Sequence, residues 1–260
     1  MPKIFDKALT WLLPAVILVL WEAGARSGFI RARLMPAPSS VFFAFVASLR
    51  DGTLWANTLI SSERALKGLL IGGIIGFLLG MVNGLWPPAE KLLDSSMQML
   101  RNVPHLAIIP LVILWFGIDE AAKIFLVAIG ALFPIYLNTY HGVRTVDPGL
   151  IEMGRVYGLK PLALLWRIIV PGALPSILVG LRYALGIMWL TLIVAETISA
   201  SSGIGYMTMN AREFMQTDVV LLGIIVYALL GKLADVATRW IERRVLAWHP
   251  SYQDKAGAAL

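Results

Sequence analysis

The chain has 260 residues, of which 58% are hydrophobic and 15% are charged, and its mean hydropathy is +0.76. This composition excludes an ordinary soluble domain and indicates a membrane protein. The chain lacks cysteine, which excludes disulfides and Cys-based metal sites, and its net charge of +6 comes from Lys and Arg that form no nucleic-acid-binding tract.

The first apolar run, Trp11 to Ala25, has two interpretations. It could be a signal peptide, because Ala23-Gly24-Ala25 resembles a cleavage site. It could also be an uncleaved first membrane helix at about residues 10–27, which Glu22 favours because an acidic residue is unusual just before a cleavage site. A polar stretch from Ser27 to Glu63 follows.

The second apolar run, Ala65 to Trp86, carries a stripe of glycines. They lie at Gly68, Gly72, Gly76, Gly80 and Gly84. Small residues at i, i+4 spacing let a neighbouring helix backbone approach closely inside a membrane. We therefore expect tight helix packing along this stripe, although glycine is also simply common in membrane helices.

Further apolar runs follow at Val103–Gly117, Ala121–Tyr140, Pro175–Ser199 and Val219–Val236. The sequence thus predicts six spans in a single transmembrane domain over residues 1–260, with a core bundle at about 60–240. With both termini in the cytoplasm, more than half of the 22 Lys and Arg would be cytoplasmic, among them Lys3, Lys7, Arg182 and Lys255.

A charged elbow at residues 147–171 separates the fourth and fifth runs. Asp147 is placed to cap a helix that starts at Pro148, and Gly158 is placed to end it. Pro161 can start a second short helix that runs to about Val170, where Pro171 and Pro175 are expected to break the chain.

The elbow should lie outside the lipid on the cytoplasmic side, because a buried charge costs about 2.5 to 3.5 kcal/mol on insertion scales. Its first helix nevertheless carries Leu150, Ile151, Met153, Val156 and Tyr157. A ten-residue helix is marginal in water and needs something to pack against. A partner protein would supply that surface, whereas a merely solvated loop would not need one.

The spacing of Glu152, Gly158 and the sequence Ile168-Ile169-Val170-Pro171 resembles the cytoplasmic "EAA" signature of permease subunits of bacterial ABC importers. Met153 and Gly154 replace the usual alanines, and Gly154 should loosen the helix by up to about 1 kcal/mol relative to alanine. Residues 101–142 and 185–220 resemble permeases of the sulfonate, taurine and nitrate importers, and most of all the aliphatic sulfonate permeases.

This resemblance implies the all-α type I importer permease fold, in which the elbow is a coupling helix that docks on an ATP-hydrolysing subunit. Glu152, Arg155, Gly158 and Pro171 are the implied coupling residues. The implied partners are two ATP-binding cassette subunits, a second copy of the chain and a periplasmic binding protein in the bacterial inner membrane. The chain has no phosphate-binding loop of its own, so ATP would bind only to the partner subunit.

The polar residues near membrane depth are candidates for the substrate pathway. They are Asn102, His105, Trp189, Thr191 and Glu196, together with Asn138 and Thr197. A carboxylate would repel a sulfonate, so we expect Glu196 to make a structural or gating hydrogen bond. His105 suits an anion if it is protonated, but it could equally be an interfacial residue bonded to backbone, and Trp189 is more typical of packing.

Residues 199–218 combine glycines with Met207, Met209 and Met215, which favours either an adaptable gate or binding-protein contact on the outer side, or an ordinary loop between helices. The three histidines lie on different segments and no metalloprotease or serine-nucleophile motif occurs, so the sequence favours a transport subunit over an enzyme.

The alternatives are import of taurine, nitrate or another small anion by the same family, or a secondary transporter or channel. A secondary transporter should show internal repeats or a charged relay, and neither is convincing.

Overall fold

The computed structural model describes residues 3–31 and 33–248. Within these ranges the chain is built from α-helices and contains no β-strand, which confirms the all-α prediction. The helices are α1 (Lys3–Arg26), α2 (Pro38–Arg50), α3 (Thr53–Leu85), α4 (Pro87–Arg101), α5 (Ile109–Phe116), α6 (Glu120–Arg144), α7 (Pro148–Val156), α8 (Pro161–Leu164), α9 (Val170–Ser199), α10 (Ile204–Glu213) and α11 (Thr217–Val245). Lys255, expected at a cytoplasmic terminus, lies outside the described residues.

Four helical segments of the described chain are long and apolar enough to cross a membrane. They are Thr53–Leu85, Glu120–Arg144, Pro161–Ile198 and Thr217–Val245. They correspond to the second, fourth, fifth and sixth predicted spans. The first predicted run lies in α1, which continues without a break through Ala23-Gly24-Ala25 to Arg26.

The third predicted run, Val103–Gly117, differs from the prediction of a spanning helix. Residues 102–108 form turns, and α5 has only 8 residues. A helix of that length reaches about 12 Å, well short of a hydrocarbon core of about 30 Å. The two prolines explain the difference, because Pro104 disfavours a continuing helix and Pro110 occupies the first turn of a new one.

The described chain divides into two compact units. One comprises the described residues up to Ser61 together with Ala200–Ala228, and the other comprises Ser62–Ser199 together with the described residues from Leu229. In the first unit, Val41 and Ala44 of α2 pack against Leu222 of α11.

The second unit is organised around α6, which packs against both α3 and α9. Ala131 and Ile135 of α6 form a buried cluster with Ala184 of α9. A second cluster joins Val127 of α6 to Met188 of α9. These apolar contacts fix the helices that carry the polar sites described below.

The glycine stripe of α3 lies against α6 along its whole length. A Cβ atom added at Gly72 would lie 2.0 Å from the Ala128 carbonyl oxygen, and one at Gly76 would lie 2.4 Å from that of Leu132. At Gly68, Gly80 and Gly84 the nearest α6 atoms would be 2.5 to 2.7 Å away. The two backbones therefore approach more closely than any side chain at these positions would allow.

Candidate functional site

The elbow helix α7 begins and ends through local interactions. Asp147 Oδ1 accepts a hydrogen bond from the Gly149 N–H at 2.8 Å, and Pro148 occupies the first turn. At the other end Gly158 has a φ of 76°, and the Leu159 N–H donates to the Gly154 carbonyl at 3.0 Å. The helix therefore covers Pro148–Val156, within one residue of the predicted range.

The predicted break at Pro171 and Pro175 is wrong, because Pro161–Ile198 is one continuous helical segment of 38 residues. A π-helical turn, Leu165–Ile169, lies immediately before α9. Proline normally clashes with the carbonyl four residues earlier, and a π-turn displaces that carbonyl from its α-helical position. The second arm of the elbow is therefore the start of a spanning helix.

Gly154 fixes α7 against this second arm. A Cβ atom there would lie 2.5 Å from Ile168 Cδ1 and 2.7 Å from Leu164 Cδ1, and Gly154 is buried. In helix propensity Gly154 is a loosening departure from alanine. The structure adds that glycine at this position lets the two arms of the elbow touch.

The opposite side of α7 is exposed and partly apolar. The exposed fractions of Val156 and Tyr157 are 86% and 79%. Met153, Glu152 and Arg155 are exposed beside them. A short helix that presents apolar side chains among charges is typical of a protein-binding surface.

The predicted coupling residues do not all lie on this surface. Glu152 and Arg155 lie on α7, and Gly158 closes its C-terminal end. Pro171 lies in the first turn of α9, directly after the π-helical turn. Pro171 is thus at the joint between elbow and span.

An ion network whose members are buried except for the half-exposed Glu120 joins the start of α6 to α3 and α9. Arg64 Nη1 donates to Glu196 Oε1 at 2.7 Å, and Arg64 Nε donates to Glu120 Oε2 at 2.6 Å. Lys123 Nζ lies 3.4 Å from Glu120 Oε1. The side chains of Arg64 and Lys123 are only 3% and 2% exposed.

Glu196 is among the residues predicted from the sequence, whereas Arg64 and Lys123 are not. Lys123 gave a signal, because it is a lone cation within the apolar run Ala121–Tyr140. In this conformation Glu196 is sealed against Arg64, so its carboxylate has no surface at which to meet a passing anion.

Of the remaining candidates for the substrate pathway, His105 and Thr191 contact each other and the others are isolated from this pair. His105 Nε2 lies 3.0 Å from Thr191 Oγ1, and Thr191 is buried in α9. Trp189 packs beside the cluster of Val127 and Met188. Asn102 is exposed at the end of α4.

Asn138 and Thr197 are bonded within their own helices. Asn138 Nδ2 donates to the Pro134 carbonyl at 2.8 Å, and Thr197 Oγ1 donates to the Val194 carbonyl at 2.9 Å. Over the described residues, no group of three or more His, Asp or Glu side chains is arranged to hold a metal ion.

The methionine-containing segment 199–218 forms α10 and its flanking turns. Met207 is buried within its own unit, whereas Met215 is exposed and has a φ of 58°. The Gly203 N–H donates to Asn57 Oδ1 at 2.8 Å, which ties the start of α10 to α3. The methionines therefore do not form one continuous exposed surface.

Comparison with known proteins gives the family of the chain. Residues 71–247 match the family described as "Binding-protein-dependent transport system inner membrane component". The chain is 60% identical over 245 residues to the "Putative aliphatic sulfonates transport permease protein SsuC" of Escherichia coli (strain K12), covering 94% of this chain and 93% of that protein. It is 35% identical to the "Taurine transport system permease protein TauC" of the same strain, covering 96% of this chain and 98% of that protein.

A solved structure shares the fold. It is described as "Crystal structure of an amino acid ABC transporter with histidines", and its TM-score is 0.63 at 16% identity, covering 78% of this chain and 98% of that chain. The expected permease fold is thereby confirmed. The chain belongs to the binding-protein-dependent transport system inner membrane components, and is a multi-pass translocation subunit rather than an enzyme.

Proposed function

We propose that this chain is the permease subunit of an ATP-driven importer that moves aliphatic sulfonates across the bacterial inner membrane by alternating access. The observation that carries the proposal is the 60% identity, across 94% of the chain, to a protein named as an aliphatic sulfonates permease. The 35% identity to a taurine permease makes taurine, nitrate or another small anion the second candidate substrate class.

The proposed assembly contains two copies of this chain as one domain each over residues 1–260, two ATP-binding cassette subunits and a periplasmic binding protein. Both termini and the elbow face the cytoplasm. ATP binds to the cassette subunits, and this chain binds no cofactor. The family description itself names dependence on a binding protein, which supports that partner.

The exposed side of α7 is the proposed docking surface for the cassette subunit. Val156 and Tyr157 supply apolar area, and Glu152 and Arg155 supply charge at its edge. Desolvated aromatic and aliphatic anchors carry most of the energy of such interfaces.

A movement of α7 would reach the membrane through its contacts with Leu164 and Ile168. Both side chains pack against α7 at Gly154, and the arm that contains them continues into α9 without a break. A displacement of α7 is therefore transmitted directly to a spanning helix. Alternating access follows when the two cassette subunits close and reopen.

Reconstitution in proteoliposomes tests the function. We expect ethanesulfonate uptake that requires ATP, the cassette subunits and the binding protein together. Taurine and nitrate, tested with the same components, separate the two substrate classes. Uptake by this chain alone, driven by an ion gradient, would instead establish a secondary transporter.

A charge reversal tests the elbow separately. Glu152→Lys should leave membrane insertion intact but uncouple ATP hydrolysis from uptake, because Glu152 lies on the exposed side of α7. Glu152→Gln, which keeps the size of the side chain, is the matched control and should reduce coupling less. Normal transport by the lysine variant would show that the docking surface is elsewhere.

A further inference from the structure

The helices α3 and α6 run parallel to each other. A Cβ atom added at Gly68 of α3 would meet Val127 of α6, and one added at Gly84 would meet Val143. Residue numbers therefore rise in the same direction along both helices. The chain that leaves the end of α3 must return across the membrane before α6 can start, and residues 86–119, which contain α4 and α5, make that return.

Contacts with α6 follow this return in order. Near the end of α6, Tyr140 Oη donates a hydrogen bond to Glu90 Oε1 of α4 at 2.5 Å. Near the start of α6, Ile109 of α5 packs in a buried cluster with Ala122. The 15 residues of α4 and the 8 residues of α5 reach about 22 and 12 Å, which together match a hydrocarbon core of about 30 Å. The two helices thus form one crossing in two pieces.

The turns that join the two pieces lie inside the membrane. His105 Nε2 is 3.0 Å from Thr191 Oγ1, and a Cβ atom added at Gly130 of α6 would lie 3.0 Å from the same oxygen. Between Lys123 and Arg144, α6 contains no Asp, Glu, Lys or Arg, and Gly130 lies about 10 Å from the first and 21 Å from the second along the axis. This uncharged stretch is as long as the hydrocarbon core is thick, so the break between α4 and α5 is at membrane depth.

One side of α4 is polar along its whole length. Six polar residues fall within about 120° of the helix circumference, at a spacing of three or four residues. This polar stripe consists of Lys91, Asp94, Ser95, Gln98, Arg101 and Asn102. Leu93 and Leu100 lie on the opposite side of α4. The polar stripe runs from the elbow side of the membrane to the break.

Arg101 is the cation at the membrane-embedded end of the polar stripe. It is exposed and forms no hydrogen bond or ion pair with any other described residue. By contrast, Arg64 pairs with Glu196, and Arg182 pairs with Glu242 of α11. A charged side chain or a non-helical backbone is costly against lipid, so both are found beside protein or a water-filled cavity. Arg101 and the turns that follow it combine the two features at one depth.

We propose that the polar stripe of α4 lines the substrate passage and that Arg101 binds the sulfonate group of the substrate at the break between α4 and α5. This inference rests on the proposed function, because it requires that the chain import an anion. A guanidinium binds an oxyanion through two parallel N–H donors and keeps its charge at every physiological pH.

The neighbours of Arg101 suit an anion that must also leave. The Asn102 side chain is exposed and can donate from its amide, and His105 has Nδ1 left over once Nε2 contacts Thr191. Asp94 lies about 10 Å further along the polar stripe, where Lys91 offsets its charge. The polar stripe is therefore most positive at the break and close to neutral towards the elbow side. Conduction requires such binding, favourable enough for entry and weak enough for release.

Substitution of Arg101 tests the anion contact. Because Arg101 has no ion-pair partner among the described residues, Arg101→Gln should copurify with the cassette subunits and keep their basal ATP hydrolysis. In proteoliposomes with the binding protein, we expect its ethanesulfonate uptake to fall about tenfold or more, as for loss of a charge-assisted contact. Arg101→Lys keeps the charge but not the paired donors and should retain more uptake. Arg243→Gln is the matched control, because Arg243 is an exposed arginine in the last turn of α11, and should match the wild type.

Two single cysteines test whether the polar stripe faces water. Gln98→Cys lies on the polar stripe, and Leu100→Cys lies on the opposite side of α4 at nearly the same depth. Each variant, assembled with the cassette subunits in inside-out vesicles without ATP, is treated with a charged, membrane-impermeant thiol reagent. We expect Gln98→Cys to react and Leu100→Cys to remain unmodified.

The outcomes separate this inference from the proposed function. Uptake by Arg101→Gln within twofold of the wild type, or loss of its assembly, would overturn the role of Arg101 as an anion contact. Equal reaction of the two cysteines, or no reaction at Gln98→Cys, would show that the polar stripe does not line a passage. Absence of ATP-dependent uptake by the wild type would instead refute the proposed function, and the inference with it.

Discussion

Charged side chains near the two ends of α6 lie in opposite environments. At its start, Glu120 and Lys123 enter the ion network with Arg64, whose side chain is almost completely buried. Beyond its end, α7 leaves Glu152 and Arg155 exposed together with apolar side chains. The first region satisfies its charges within the chain, whereas the second presents a surface that another molecule can complete.

The difference separates structural residues from contact residues. A buried charge pair is costly to break, because removing one partner leaves the other uncompensated in a low dielectric. An exposed charge costs little to remove, so substitutions of the exposed charges in the elbow should alter coupling far more than stability. Four substitutions, from the largest expected effect to the smallest, test the buried contacts and the local helix ends on which this contrast depends.

Arg64→Leu should destabilise the chain by about 3–5 kcal/mol, because Glu196 would remain buried without its cation. The measurement is unfolding of the purified chain by titration with a denaturing detergent. Lys67→Gln is the control, because Lys67 and its partner Glu63 are both about half exposed, and it should cost less than about 1 kcal/mol. Equal stability of the two variants would mean that the network is not structural.

Gly72→Ala should cost about 1–3 kcal/mol, because the added methyl group would lie 2.0 Å from the Ala128 carbonyl oxygen and would force α3 and α6 apart. Gly231→Ala, where an added Cβ would have no neighbour within 4 Å, should be neutral or slightly stabilising. The same detergent titration compares them. A Gly72 variant as stable as the Gly231 variant would contradict the close approach of the two helices.

Gly158→Val should cost about 1–2 kcal/mol of local stability, because Gly158 has a φ of 76° that L-residues adopt with strain. Gly158→Asn should be milder, because asparagine tolerates this conformation better. Hydrogen exchange of the α7 amides measures the local effect. Unchanged protection in the valine variant would show that the end of α7 is not constrained.

Asp147→Ala should weaken the start of α7 by about 1 kcal/mol, because the Gly149 N–H would lose its side-chain acceptor. Asp147→Ser keeps an acceptor oxygen and should retain most of the protection. Hydrogen exchange at the first turn distinguishes the two variants. Faster exchange in both would indicate that the carboxylate charge matters more than the cap.

Local features of the elbow were predictable from the sequence, whereas its continuation was not. The cap at Asp147 and the stop at Gly158 depend on neighbouring residues, so residue type alone indicates them. The break predicted at Pro171 does not occur, because a π-helical turn accommodates the proline. No residue pattern predicts that turn.

Features that depend on contacts between distant parts of the chain could not be predicted from the sequence. The glycine stripe indicated close packing, but only the fold identifies α6 as the neighbouring helix. Arg64 lies 56 residues from Glu120 and 132 residues from Glu196 along the chain, so its network has no local signature. For the same reason the partner of Arg182 could not be inferred before α9 and α11 were placed.

A single introduced cysteine tests most directly whether α7 is a cytoplasmic docking surface, because the chain contains no cysteine of its own. In Val156→Cys, labelling by a membrane-impermeant maleimide is measured in inside-out vesicles and in intact spheroplasts, with and without the cassette subunits. We predict labelling in inside-out vesicles that the cassette subunits block. Labelling from the external face, or labelling that the cassette subunits leave unchanged, would contradict the account.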